Sequence, residues 1–388
     1  MKVEFSQRLN KLPPYLFAEI DKAKRKARAE GADIIDLGIG DPDQPTPNHI
    51  IEKLNEASHD PANHRYALDQ GMDILRAAVK KWYEARFGVS LNHSDEILPL
   101  IGSKEGIAHI PLAFINKGDY SLVPEPCYPP YKGGTILAGG TPFIMPLLEE
   151  NNFLPRLDKI PNRVLKKAKF LFLNYPNNPT SACAELSFYN EVVKFAKKHA
   201  IIVLHDAAYS EINFDGYKPP SFLQAKGACD VGIEFHSLSK TYNMTGWRIG
   251  WACGNKKIIG GLAKVKANTD SGIFSAIQLA GVEALNGPQE YIAAMCRLYQ
   301  QRRDALVEGL NRIGWQAAKP KATFYVWVKL PKSHKASIKF AKFLLDEASI
   351  VVTPGCGFGQ SGEGYVRMAL TASEDRIKEA IERLKKVL

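Results

Sequence analysis

From about residue 95 to about residue 255, short apolar runs alternate with longer amphipathic stretches, and this alternation constrains the fold more than any other feature of the chain. Phe170-Leu171-Phe172-Leu173 and Ile201-Ile202-Val203-Leu204 show no polar alternation. Both faces of such strands must therefore be covered, as in a parallel sheet. Parallel neighbours are joined by crossover helices, so the repeated pattern predicts βαβ units and an α/β fold with a mostly parallel sheet sandwiched by helices. In open sheets of this kind ligands gather beyond the carboxyl ends of the strands, so the residues that follow each apolar run are the candidates for function. A long helical region from Ile258 to about Leu310, then a strand from Thr323 to Val328, predicts a smaller α+β part at the carboxyl terminus.

Four strand ends carry complementary chemistry. Ser237-Leu238-Ser239-Lys240, with Arg248 eight residues on, sets one amine among hydroxyls and a guanidinium. A lysine of ordinary pKa, about 10.4, is protonated at neutral pH and cannot attack a carbonyl, so a neighbouring cation such as Arg248, or burial, is needed to free the amine. The same arginine and serines suit a phosphate dianion, so the set could hold a phosphorylated aldehyde as a Schiff base. The run ending at Leu204 leads into His205-Asp206-Ala207-Ala208-Tyr209, where Asp206 could keep a pyridine nitrogen protonated and Tyr209 could bond a phenolic oxygen. The run ending at Leu173 leads into the Asn- and Pro-rich turn Asn174 to Thr180. Ile97 to Ile101 leads into Gly102-Ser103-Lys104-Glu105-Gly106 and a helix from Ile107, an anion site at a helix start. Taken singly, each has a commoner reading: a solvated lysine, a helix N-cap, a core aromatic. Their conjunction is what points to pyridoxal 5'-phosphate.

These segments, with Leu12-Pro13-Pro14-Tyr15-Leu16-Phe17, Ile39-Gly40-Asp41-Pro42-Asp43 and Gly364-Tyr365-Val366-Arg367, occur in an order that resembles the class I aminotransferases of the fold-type I pyridoxal-phosphate enzymes. Within that family the enzymes acting on LL-2,6-diaminopimelate are the most similar. The resemblance implies that Lys240 is the Schiff-base lysine and moves the substrate proton. It assigns Asp206 to the pyridinium nitrogen, Tyr209 and Asn178 to the phenolic oxygen, and Tyr128 to stacking on the ring. Ser103, Lys104, Ser237, Ser239 and Arg248 would line the phosphate and nearby substrate side, and Tyr66 would reach the phosphate of a second subunit, making a homodimer with shared sites. Arg367 would clamp the substrate α-carboxylate, and Tyr15, Gly40, Asp69, Lys104, Tyr128, Asn178 and Ser271 would contact substrate. The implied reaction exchanges the amino group of LL-2,6-diaminopimelate with 2-oxoglutarate, giving glutamate and tetrahydrodipicolinate, or in reverse feeds lysine biosynthesis. The family's division implies an N-terminal arm and part of the small domain over residues 1–45, a large cofactor domain over 46–284 and a small domain over 285–388.

Three positions depart from the family pattern. Ser181 replaces the glycine that commonly ends the Asn-Pro-Thr-Gly turn, and is strained if φ is positive there. Asp69 stands for a glutamate and Ser271 for an asparagine at the distal end of the substrate pocket. These bear on side-chain specificity and leave the chemistry untouched.

The net charge of +10 raises the question of nucleic acid. Basic residues are nonetheless spread along the chain, and the one dense run, Lys22 to Arg28, reads as a solvated helix face, so no nucleic-acid partner is expected. Cysteines at 127, 183, 229, 253, 296 and 356 form no C-x-x-C pair, and His59 and His64 lack the spacing of a metal pair, so a reduced cytoplasmic protein without a metal is expected. No apolar run approaches a membrane span.

The competing enzyme reading is another class I aminotransferase, for aspartate, alanine or an aromatic amino acid, which only the distal pocket distinguishes. A non-enzymatic regulator that binds the cofactor would need an added DNA-binding segment, and the family-like stretches begin by residue 12. Gly355-Cys356-Gly357-Phe358-Gly359 is rich in glycine but lies outside any early βαβ unit, which argues against a nucleotide-binding dehydrogenase.

Overall fold

A computed structural model describes every residue except 14 and 15, and every side chain except those of residues 14–20 and 23; Tyr15 thus lies outside the described residues. In chain order the strands are β1 (Ile35–Asp36), β2 (Ile97–Leu100), β3 (Tyr120–Glu125), β4 (Thr141–Pro146), β5 (Ala168–Asn174), β6 (Ile202–Asp206), β7 (Gly232–Ser237), β8 (Gly250–Gly254), β9 (Tyr325–Lys329), β10 (Ile350–Val351), β11 (Thr353–Pro354) and β12 (Tyr365–Ala369). Among the described residues, seven of them form one sheet in the order β2-β8-β7-β6-β5-β3-β4. Its pairings are parallel except those of β8, which runs antiparallel to both neighbours.

The apolar runs explain why the sheet is covered twice. Leu171 and Leu173 of β5 enter one hydrophobic cluster while Phe170 and Phe172 enter another on the opposite face. Each face excludes water from alternate residues of the same strand. A third cluster gathers Ile35 and Leu37 from the amino-terminal part with Leu306, Val326, Phe340, Met368 and Ile381 from the carboxyl-terminal part. There β9, β11 and β12 form a small antiparallel sheet and β1 pairs with β10.

Four local expectations change. The helix after β2 runs Ser103–Phe114, starting four residues before Ile107, because Gly102 turns the chain at φ 72° and the Glu105 carboxylate caps the Ile101 N–H at 2.8 Å. The region from Ile258 to Leu310 is broken into Lys256–Thr269, Ser275–Asn286 and Glu290–Arg312, with breaks at Asp270 and at Gly287-Pro288. The strand expected from Thr323 starts at Tyr325, since Thr323 has φ 68° and its Oγ1 accepts the Tyr325 N–H at 3.0 Å. In the basic run, Lys24 is buried, with its Nζ 3.0 Å from Asp36 Oδ2, while Lys22, Arg25, Lys26 and Arg28 remain exposed. Among the described residues no helix is long and apolar enough to cross a membrane.

Candidate active site

The turns after β2, β5, β6 and β7 and the turn entering β8 open at one edge of the large sheet, and strand register aligns their side chains. Asn174, the last residue of β5, pairs with Asp206, the last of β6, and Ser237, the last of β7, pairs with Gly250 of β8. A cavity of about 250 Å³ lies there. Of the residues expected from sequence it is lined by Gly40, Ser103, Lys104, Tyr128, Asn178, Asp206, Tyr209, Ser237, Ser239, Lys240, Arg248 and Arg367. Tyr66, Asp69 and Ser271 do not line it; Tyr66 is 95% exposed, Ser271 is exposed and Asp69 is half-buried.

Lys240 sits in the short helix Leu238–Thr241, which Ser237 caps by accepting the Ser239 N–H at 3.1 Å. Its Nζ donates to the Gly40 carbonyl at 2.9 Å. Burial, more than any neighbouring cation, pulls the ammonium down to about 8; Arg367 and then Arg248 add to the effect and Asp41 opposes it. Of the two causes that the sequence left open, a neighbouring cation or burial, burial is the larger.

Asp206 is buried and its carboxyl is pushed up by burial, with the Tyr131 hydrogen bond opposing. Oδ2 accepts the Tyr131 hydroxyl at 2.8 Å and Oδ1 the Ala208 N–H at 3.3 Å, so its partners among the described residues are neutral donors. The Tyr131 phenol is itself held far above its usual range by burial and by this carboxylate, which keeps it a donor.

Arg367 on β12 is 3% exposed, donating from Nη1 to Asn178 Oδ1 at 2.8 Å and from Nη2 to the Gly38 carbonyl at 2.7 Å. Its Nε is buried without a partner, and among the described residues no carboxylate pairs with it. The guanidinium carbon lies 4.1 Å from the Tyr325 ring centre and 4.8 Å from that of Phe358. Such contacts return about 0.5–2 kcal/mol each. Burying an unpaired charge costs several kcal/mol, so the pocket is built to receive an anion.

A second anion position is formed by Arg248, Ser103, Ser237 and Ser239 at the start of the Ser103–Phe114 helix, whose first N–H groups have no intrahelical acceptor. Gly102 permits the approach, since a Cβ there would lie 2.1 Å from Arg248 Nη2. Arg248, itself at φ 56°, donates to the Thr245 carbonyl at 2.7 Å.

The Asn-Pro turn is internally braced. Asn174 Oδ1 accepts the Asn178 N–H at 2.8 Å, and Asn177 Oδ1 accepts from the Thr180 N–H and hydroxyl at 3.0 and 2.7 Å. Asn178 Nδ2 reaches the Tyr209 hydroxyl at 3.4 Å, which lies 3.1 Å from the Tyr325 hydroxyl. Ser181 does have a positive φ of 59°, and its hydroxyl offsets the strain by bonding Thr323 Oγ1 and the Tyr325 carbonyl, both at 2.7 Å. Sequence reasoning missed Asn174, Tyr131, Tyr325 and Phe358 as parts of the site. Asn174 opens the Asn- and Pro-rich turn that the sequence does mark, while Tyr131, Tyr325 and Phe358 carry no such signal.

The pocket thus joins a buried amine of lowered pKa, a buried carboxylate and two anion positions. The sequence profile of a family described as aminotransferase class I and II matches residues 32–384. The chain is 56% identical over 383 residues to LL-diaminopimelate aminotransferase of Moorella thermoacetica, covering 99% of this chain and 98% of that one. It is 55% identical over 383 residues to LL-diaminopimelate aminotransferase of Halothermothrix orenii, with the same coverage. Among solved structures, substrate-bound BacF from Bacillus subtilis matches with a TM-score of 0.96 at 40% identity, covering all of this chain and 98% of that one.

Proposed function

The chain belongs to the class I and II aminotransferases, and from that premise we propose that it exchanges the amino group of LL-2,6-diaminopimelate with 2-oxoglutarate, using pyridoxal 5'-phosphate attached through Lys240. The observation that carries this reading is Arg367, a buried guanidinium with no carboxylate partner among the described residues, in one pocket with a deprotonatable lysine.

The donor set fits the cofactor. Asp206, buried with only neutral partners, suits a protonated ring nitrogen; Tyr209 and Asn178 suit the phenolic oxygen, Tyr128 the ring face, and Arg248 with Ser103, Ser237 and Ser239 the phosphate. When bound, the cofactor supplies an electron sink for the pair left when the substrate α-proton departs. Lys240, once its amine is free, would take that proton from the substrate α-carbon and hold it on Nζ for return. Its lowered pKa leaves a useful fraction neutral near pH 8. Arg367 holds the α-carboxylate in a fixed direction, which a planar two-pronged donor does better than a point charge.

Tyr66, with almost its whole side chain exposed, supports a homodimer in which it completes the neighbouring subunit's site. The third hydrophobic cluster, drawn mostly from residues before 45 and after 285 and joined by Tyr209, Ile212 and Phe214, supports a division of the chain near those positions. The second reading, another class I aminotransferase, lacks the support that the similarity to the diaminopimelate enzymes gives the first.

A panel of amino donors assayed with 2-oxoglutarate tests the substrate. Because a site that pairs a distal ammonium and carboxylate penalises analogues lacking them, kcat/KM for LL-2,6-diaminopimelate should exceed that for aspartate, alanine or phenylalanine by about 100-fold or more. Asp69→Asn should narrow that gap. Comparable rates on aspartate would leave only the broader transamination claim.

The lysine also sets a pH dependence. Only the neutral amine attacks the cofactor aldehyde, so uptake by cofactor-free protein should rise about tenfold per pH unit below the amine's pKa and level above it. The bend is expected near pH 8, where the amine titrates. An uptake rate that climbs steadily toward pH 10.5, the ordinary lysine value, would place Lys240 in water.

A further inference from the structure

Lys266 is fully buried, far from any surface role, and three acceptors converge on it: Glu105 Oε2 at 3.2 Å, Asp270 Oδ1 at 2.6 Å and the Ser271 carbonyl at 3.2 Å. Breaking a buried pair is strongly destabilising, so an ammonium kept there needs every one of those partners. Each partner leads to a different part of the site. The Glu105 oxygen that binds Lys266 also accepts the Ile101 N–H at 2.8 Å, and Ile101 opens the Gly102-Ser103-Lys104 turn that faces the pocket. On the other side, Asp270 and Ser271 lead into Gly272, whose bare Cα packs against the backbone of the Tyr66 segment: a Cβ there would lie 2.4 Å from the Leu68 carbonyl and 2.9 Å from that of Ala67. Gln278, also fully buried, closes the same junction by accepting the Met72 N–H at 2.7 Å and donating to the Ile273 carbonyl at 2.6 Å.

Glu105, His109 and Asp270 also offer ligand atoms within 4.8 Å of one another, the arrangement of a small metal site. The Lys266 ammonium already bonds the other oxygen of each carboxylate, so the cation of this cluster is the chain's own. His109 Nδ1 lies 3.6 Å from Glu105 Oε1 and 4.0 Å from Asp270 Oδ2, beside the pair rather than between Lys266 and its partners.

We propose that Glu105, Lys266 and Asp270 are positioning residues that set two separate parts of the binding machinery: Glu105 fixes the phosphate-side turn, Asp270 fixes the Tyr66-to-Asp69 segment through residues 271 and 272, and Lys266 ties the two together. The proposal rests on the reading that Ser103 and Lys104 meet the cofactor phosphate side, and that in a neighbouring site Tyr66 reaches the phosphate and Asp69 serves the substrate end. In a homodimer every site is affected equally, so ordinary kinetics suffice to read the effect.

The test is a split that loss of stability alone would not produce. Glu105→Gln should weaken pyridoxal phosphate binding to cofactor-free protein, followed by fluorescence titration, by about tenfold, and leave KM for LL-2,6-diaminopimelate within about twofold. Asp270→Asn should act on both, raising KM about tenfold through Asp69 and weakening cofactor binding through Tyr66. Lys266→Met should impair both; should it fail to fold, the two milder variants carry the test. Equal changes in both quantities for both variants, or no change in either, would overturn the proposal. Wild-type protein that takes up no pyridoxal phosphate would instead overturn the reading of the pocket.

Discussion

Lys240→Ala should reduce transamination by about 10⁴-fold or more, since positioned proton transfer alone contributes about 10²–10⁴-fold and the covalent route is lost with it. The variant should still bind pyridoxal phosphate, because Asp206, Arg248 and the serines remain. It should lose the borohydride-stable adduct that peptide mapping of the wild-type protein is expected to place on residue 240. Lys240→Arg should not rescue, because a guanidinium stays protonated and cannot take the α-proton. An unmodified Lys240 in cofactor-saturated wild-type protein would remove the chemical basis of the assignment.

Arg367→Ala should weaken every amino donor alike, because each carries the same α-carboxylate. Losing one charge-assisted pair costs roughly 1.5–3 kcal/mol, or about tenfold to more than a hundredfold in affinity. Arg367→Lys should recover little of it: a lysine offers a point charge where the two-pronged fork now reaches both Asn178 and Gly38. Donor dissociation constants measured with the absorbance of the bound cofactor separate this from a cofactor defect. Unchanged donor affinity in Arg367→Ala would reduce Arg367 to a strut between β12 and the Asn-Pro turn.

Residues whose chemistry is unusual for their position were legible in the sequence. Asp206 and Asn178 follow apolar runs and Lys240 follows the strand Gly232–Ser237, and parallel pairing brings such ends to one edge, so order along the chain became proximity in space. Tyr131 and Tyr325 were not legible because they act through other side chains; nothing in a tyrosine's spacing announces that its hydroxyl will meet Asp206. Lys24 was misread for a related reason. Its basic neighbours in the run are exposed, and the carboxylates of Asp21 and of Asp36, twelve residues away, make a place for its charge inside. Tyr66 became a candidate through family resemblance alone, since the site proposed for it belongs to another copy of the chain.

The cavity brings Lys104, Lys240, Arg248 and Arg367 together, and among the described residues lining it Asp206 is the one carboxylate. Such an imbalance reaches beyond contact distance, over a Debye length of about 8 Å at physiological salt. In the cofactor-free protein this field should draw phosphate esters and dicarboxylic acids to the mouth of the site and repel simple amines. Added salt should therefore slow the capture of the phosphorylated cofactor by the empty site, because it flattens the field that gathers anions there.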